Sequence, residues 1–139
     1  MARVLTKEKI MKKWLALLLT SCLVGCSTTT VPMQEAVYEK PFFNSEKTEE
    51  NNVKVTVVRD GSAYVGSILS FYIQLDGKEI ADLMPKEKTT FYTTEGKHLI
   101  SVRLFNGEGP ACFLDLKKGE SVEVRCGVLY SDPFIRRAK

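Results

Sequence analysis

From Val53 onward the chain alternates apolar and polar residues in short runs, and that period of two commits it to β-sheet. Val53, Val55 and Val57 alternate with Lys54 and Thr56, and Leu69, Phe71, Ile73 and Leu75 alternate with Ser70, Tyr72 and Gln74. Asp76-Gly77 then supplies a hairpin turn whose glycine accepts positive φ. Glu79 to Met84 form the returning strand, Pro85 to Lys88 break the run, and Thr89 to Thr93 resume it. Glu95-Gly96-Lys97 turn the chain into a strand from His98 to Phe105 that buries Ile100, Val102 and Leu104. Asn106 to Pro110 read as a loop, Ala111 to Leu116 as a sixth strand, Lys117 to Glu120 as a turn and Ser121 to Tyr130 as a seventh strand. Seven strands in about 80 residues imply an all-β domain, a small antiparallel β-sandwich. Beyond the N-terminus no long helix and no internal repeat is legible.

The N-terminus follows another grammar. Lys12-Lys13 precede an apolar run from Trp14 to Val24, which ends at Gly25-Cys26. A basic start, an apolar stretch and a small residue make an export signal. The run is too short to span a bilayer core, which needs about 20 apolar residues. Leu23-Val24-Gly25-Cys26 resembles the lipobox of bacterial lipoproteins. That resemblance implies a diacylglyceryl group on the Cys26 thiol and cleavage before it, so residues 1–25 form the signal peptide. A second match, Leu19-Thr20-Ser21-Cys22, would leave an apolar core of only Trp14 to Leu19, so Cys26 is the expected lipid-attachment site. Met11 makes a more ordinary start than Met1. Ser27, rather than aspartate, after the anchor implies sorting to the outer membrane of a Gram-negative cell, with the domain facing the periplasm.

Cleavage changes the charge argument. Of 20 basic and 17 acidic residues, five basic and one acidic lie before residue 25, which leaves 15 against 16. The pI near 8.6 therefore gives no argument for a nucleic-acid partner. Residues 26–52 are mostly polar, carry Pro32 and Pro41 and keep no sustained period, so they read as the lipidated cysteine and a flexible tether. Such a tether spans about 28 Å root-mean-square, enough to hold a domain clear of head groups. Its Tyr38, Phe42 and Phe43 are unusual in a spacer and point to docking on the domain or on a partner. The domain is expected over residues 53–130, with a fraying tail at 131–139.

Tyr72 to Ile80, with Asp76-Gly77-Lys78 at the centre, followed by Gly96-Lys97-His98 and Val102, resembles PEGA-type domains and a family of uncharacterised small β-sandwich lipoproteins. Leu83-Met84-Pro85 departs from the usual PEGA pattern, which has Thr-Pro after the third strand. The resemblance implies an extracytoplasmic β-sandwich without attributed catalysis.

Cys112 lies in phase with Leu114 and Leu116, and Cys126 with Val122, Val124 and Val128. If the two strands form a hairpin with Leu116 opposite Val122, Cys112 faces Cys126 at about 4.5–5.5 Å between Cα atoms, and a disulfide is allowed. Free buried thiols and bonds to other chains are the alternatives. The cysteines are too far apart in sequence for a closed zinc site, and with a single histidine no metal or other cofactor is expected. A nucleophile would have to recruit His98 with a carboxylate such as Asp76 or Asp115, and no nucleophile elbow accompanies it. His98 reads instead as a ring bonded to turn backbone, and Asp60, Asp76, Asp82 and Asp115 as solvated carboxylates. The expectation is a non-enzymatic lipoprotein held to the membrane through Cys26, a structural or protein-binding module with an envelope protein as partner. The rival is an inhibitor or immunity lipoprotein whose loop from Asn106 to Pro110 blocks a cell-wall hydrolase or toxin.

Overall fold

The computed structural model describes residues 28–33, 35–39, 44, 46–62 and 69–139. Among them there is no helix. The strands are β1 (Thr28–Thr29), β2 (Val37–Glu39), β3 (Val53–Arg59), β4 (Gly61–Ser62), β5 (Phe71–Leu75) and β6 (Lys78–Leu83). They continue with β7 (Glu87–Thr93), β8 (Gly96–Leu104), β9 (Gly107–Leu116), β10 (Ser121–Leu129) and β11 (Asp132–Arg137). The seven strands expected from alternation are β3 and β5 to β10.

Two sheets face each other as a sandwich. One runs β11-β10-β3-β7-β2 and the other β6-β5-β8-β9, while β1 and β4 form a separate ladder. Val53, Val55, Val57, Phe91 and Val124 from the first meet Ile73, Ile80, Leu83, Ile100 and Leu114 from the second in one core, all essentially inaccessible to water. Each such side chain stabilises the fold by about 1.5–3 kcal/mol over its exposed state. β5 and β6 are joined at Asp76 (φ 52°) and Gly77 (φ 80°), the two successive left-handed residues that a tight hairpin requires. At Gly109, a Cβ would lie 2.5 Å from the Val102 carbonyl oxygen, near the register shift between Ser101 and Arg103. Only glycine lets β9 pass that point.

Four expectations need correction. The sandwich is not wholly antiparallel, because β10 pairs parallel with β3 and β2 parallel with β7. Second, β9 and β10 are not a hairpin: the turn from Lys117 to Glu120 carries the chain from one sheet to the other. There the Gly119 N–H donates to Asn52 Oδ1 at 3.0 Å and the Lys117 N–H to Glu120 Oε2 at 3.0 Å, fixing an arch between layers. In-phase apolar residues fit an arch as well as a hairpin, since both put them in the same core. Third, the expected loop from Asn106 to Pro110 is mostly strand, with Leu104 opposite Gly107 across a two-residue turn at Phe105-Asn106. Fourth, the tail at 131–139 contains β11, which pairs with β10 and buries Ile135 opposite Cys126.

Candidate functional site

Val58 follows Val57 on β3 and so points away from the core, toward the outer face of the five-stranded sheet. It is nevertheless fully buried, against Val31, Ala36 and Met33. Asp60, two residues on, is only 2% exposed. The covering layer is residues 31–33, 35 and 36, part of the stretch that reads from sequence as a tether.

Side chains of the sheet grip the backbone of this layer. Asp60 Oδ1 accepts from Arg125 Nη1 at 2.7 Å and from the Val31 N–H at 3.2 Å. Arg125 Nη1 also donates to the Val31 carbonyl at 2.8 Å, and Arg125 Nε meets Glu123 Oε1 at 2.7 Å. From β7, Lys88 Nζ donates to the Met33 carbonyl at 2.6 Å. Pro32 folds the segment back, its carbonyl accepting from the N–H groups of Glu35 and Ala36, and the chain then adds β2 to the edge of β7. On the other side, Thr28 and Thr29 pair with Ser62 and Gly61. Residues 28–33 and 35–39 of the supposed tether are thus bound into the fold. A buried ion pair satisfies the backbone of residue 31, and two valines and an alanine exclude water from it.

Cys26, Cys22, Phe42 and Phe43 lie outside the described residues. Tyr38 falls in β2, opposite Lys88.

The remaining candidate residues are engaged structurally. His98 Nδ1 lies 2.7 Å from Asp76 Oδ2, and Nε2 lies 3.1 Å from the Thr94 carbonyl and 3.3 Å from Thr94 Oγ1. Asp76 Oδ1 also accepts from the Leu99 N–H at 2.8 Å. Partial burial raises the Asp76 carboxyl, but the Leu99 N–H and the His98 ring outweigh it and hold the group below its ordinary value. The pair ties the β5–β6 turn to β8, and its ring faces the backbone as expected. Asp115 lies exposed on β9, opposite Lys97 and away from that pair.

Cys112 and Cys126 are free thiols, so the expected disulfide is not formed. They sit in opposite sheets: Cys112 opposite Ile100 on β8, Cys126 opposite Arg59 on β3 and Ile135 on β11. Burial pushes the Cys126 thiol up to about 12, which keeps it protonated and unreactive at neutral pH. Arg59, missed from sequence, reaches across the rim of the core to the carbonyls of Leu69 and Leu83, and stacks 3.8 Å from the Phe71 ring centroid. Burial lowers its pKa to about 10, still charged at neutral pH. The signal for the clamp was present in Val57-Val58-Arg59-Asp60, where alternation fails and two charges follow directly on an apolar run.

No three His, Cys, Asp or Glu side chains among the described residues gather as a metal site would require. A surface depression of about 980 Å³ is lined by Lys47, Thr48, Glu49, Asn52, Lys118 and Gly119. Comparison of the chain with protein families, with curated proteins and with solved structures finds no match.

Proposed function

We propose that this chain is a lipoprotein, held at the outer membrane through lipid on Cys26, whose β-sandwich faces the periplasm as a non-catalytic structural or protein-binding module of the envelope. The observation that carries the reading is Leu23-Val24-Gly25-Cys26 at the end of an export signal. The non-catalytic part is supported by the binding of both His98 nitrogens to structural partners and by the buried, protonated Cys126 thiol. The inhibitor reading rested on a protruding loop from Asn106 to Pro110, and most of that segment is strand in β9. The test is metabolic labelling with palmitate. Cys26→Ala abolishes label and cleavage while Cys22→Ala leaves both; label lost only in Cys22→Ala would reverse the assignment. Capture of the lipidated protein, with mass spectrometry of what accompanies it, identifies the partner.

A further inference from the structure

The two ends of the sandwich differ in chemistry. At one end lie the Asp76-Gly77 turn, Glu95, the arch of Lys117, Lys118 and Glu120, and Lys47, Glu49 and Glu50. These groups are charged and, apart from the half-buried Glu120, exposed. At the other end β3 finishes at Arg59 and β10 at Leu129, running parallel, with β10 turning into β11 through Tyr130 and Ser131. The β8–β9 turn at Phe105-Asn106 lies at this same end, because Tyr72 at the start of β5 pairs with Arg103, and Arg59 bonds the Leu69 carbonyl just before β5. Four large hydrophobic side chains are exposed among the described residues. Three of them, Phe105 (71%), Leu129 (45%) and Tyr130 (78%), stand at this end, and the fourth, Phe113, is on the outer face of β9.

Thr28, the first of the described residues, lies at the end that carries the apolar tips. β1 pairs with β4 immediately beyond Arg59, and Cys26 is two residues before Thr28, about 7 Å of chain at most. A diacylglyceryl cysteine sits at the head-group level of a bilayer. With the clamp holding Val31, Met33 and Ala36 to the sheet, the lipid cannot move far from this end of the domain.

We propose that Phe105, Leu129 and Tyr130 insert into the lipid interface, so that the sandwich stands on the membrane by its apolar end and presents its charged end to the periplasm. This rests on the proposed lipid anchor at Cys26. The occupant is a lipid surface because the anchor puts one within reach and keeps its local concentration high, so contacts too weak to bind alone become occupied. The exposed charges at this end, Glu108, Asp132 and Lys86, are few and of both signs, so the contact is apolar rather than electrostatic, and neutral lipid suffices. A tyrosine beside phenylalanine and leucine suits the interface, where one side of the ring is wet and the other apolar.

The test uses the mature lipidated protein in phosphatidylcholine vesicles with brominated acyl chains. The one tryptophan, Trp14, leaves with the signal, so Phe105→Trp, Tyr130→Trp and Lys118→Trp each carry a single reporter. The expected result is a blue-shifted emission, quenched roughly twofold or more by bromolipid, for Phe105→Trp and Tyr130→Trp, and no quenching for Lys118→Trp. Protein that sediments with vesicles while all three reporters stay unquenched overturns the standing orientation and leaves the anchor intact. Protein that remains in the supernatant overturns the anchor and this inference together.

Discussion

On the outer face of the four-stranded sheet, Arg103 meets Glu79 at 2.6 Å, stacked over the Tyr72 ring, with the two charged side chains 40% and 36% exposed. On the outer face of the five-stranded sheet, Arg125 meets Asp60 at 2.7 Å with exposures of 16% and 2%. The contact distance is nearly the same and the surroundings are opposite. Val31 and the described residues after it cover the second pair, whereas water reaches the first. What an ion pair does for a fold depends on what lies over it, because desolvation makes a lone buried charge far more costly than a lone exposed one. The covered face also explains why β3 is buried at six of its seven residues, while β5 alternates between buried and half-buried.

The comparison is broken most severely at the clamp. Asp60→Ala leaves Arg125 with Glu123 and the Val31 carbonyl but breaks the covered pair and orphans the buried Val31 N–H, and is expected to lower stability by about 2–3 kcal/mol, measured by denaturant unfolding. A cost below about 1 kcal/mol would mean that the covered pair behaves like a surface pair. Val58→Ser puts a hydroxyl into the apolar layer over the sheet and is expected to cost about 2 kcal/mol. Leu99→Ser, its counterpart on the open face, is expected to cost about 1 kcal/mol or less. For the open ion pair, Glu79→Ala is expected to shift stability by about 0.2–1 kcal/mol, and raising the salt concentration should erase most of that. Equal effects of Glu79→Ala and Asp60→Ala would remove the distinction between the faces.

The smallest effect is on acid stability. Asp76 ionises more readily in the folded protein than in the unfolded chain, so its contribution is present above the unfolded pKa and is lost as pH falls through the folded one. The window lies below the ordinary carboxylate value of 3.8. Asp76→Asn should flatten the fall of the thermal midpoint there. An unaltered acid limb would show that the carboxylate's partners in the folded state do not matter.

The sheet strands were legible because period-two alternation and turn residues are local signals. Asp76-Gly77 named its own hairpin, and Val53, Val55 and Val57 named the core face of β3. The partners of those strands were not legible. Leu116 and Val122 flank an arch and would flank a hairpin with the same pattern, so phase alone put Cys112 opposite Cys126 when the chain had changed sheets. The β11 edge strand was hidden behind basic Arg136 and Arg137, although Phe134 and Ile135 supplied its apolar half. The covering segment was hardest to read, since Val31 and Ala36 are too few and too irregularly spaced to show a period. Its trace was on the strand beneath, in a valine at 58 on the wrong face and an aspartate at 60 with no visible reason to be buried.

The central claim, that the chain after Cys26 is part of the fold rather than a tether, is tested most directly by amide hydrogen exchange of the mature lipidated protein across residues 28–39. The Val31 N–H bonds Asp60, those of Glu35 and Ala36 bond Pro32, and β1 and β2 pair with β4 and β7. The account predicts exchange at least roughly tenfold slower than in an unstructured peptide, and faster again in Asp60→Ala. Exchange at the free-peptide rate across these residues, with β3 and β10 still protected, would contradict it and return the segment to a spacer that lets the domain stand away from the membrane.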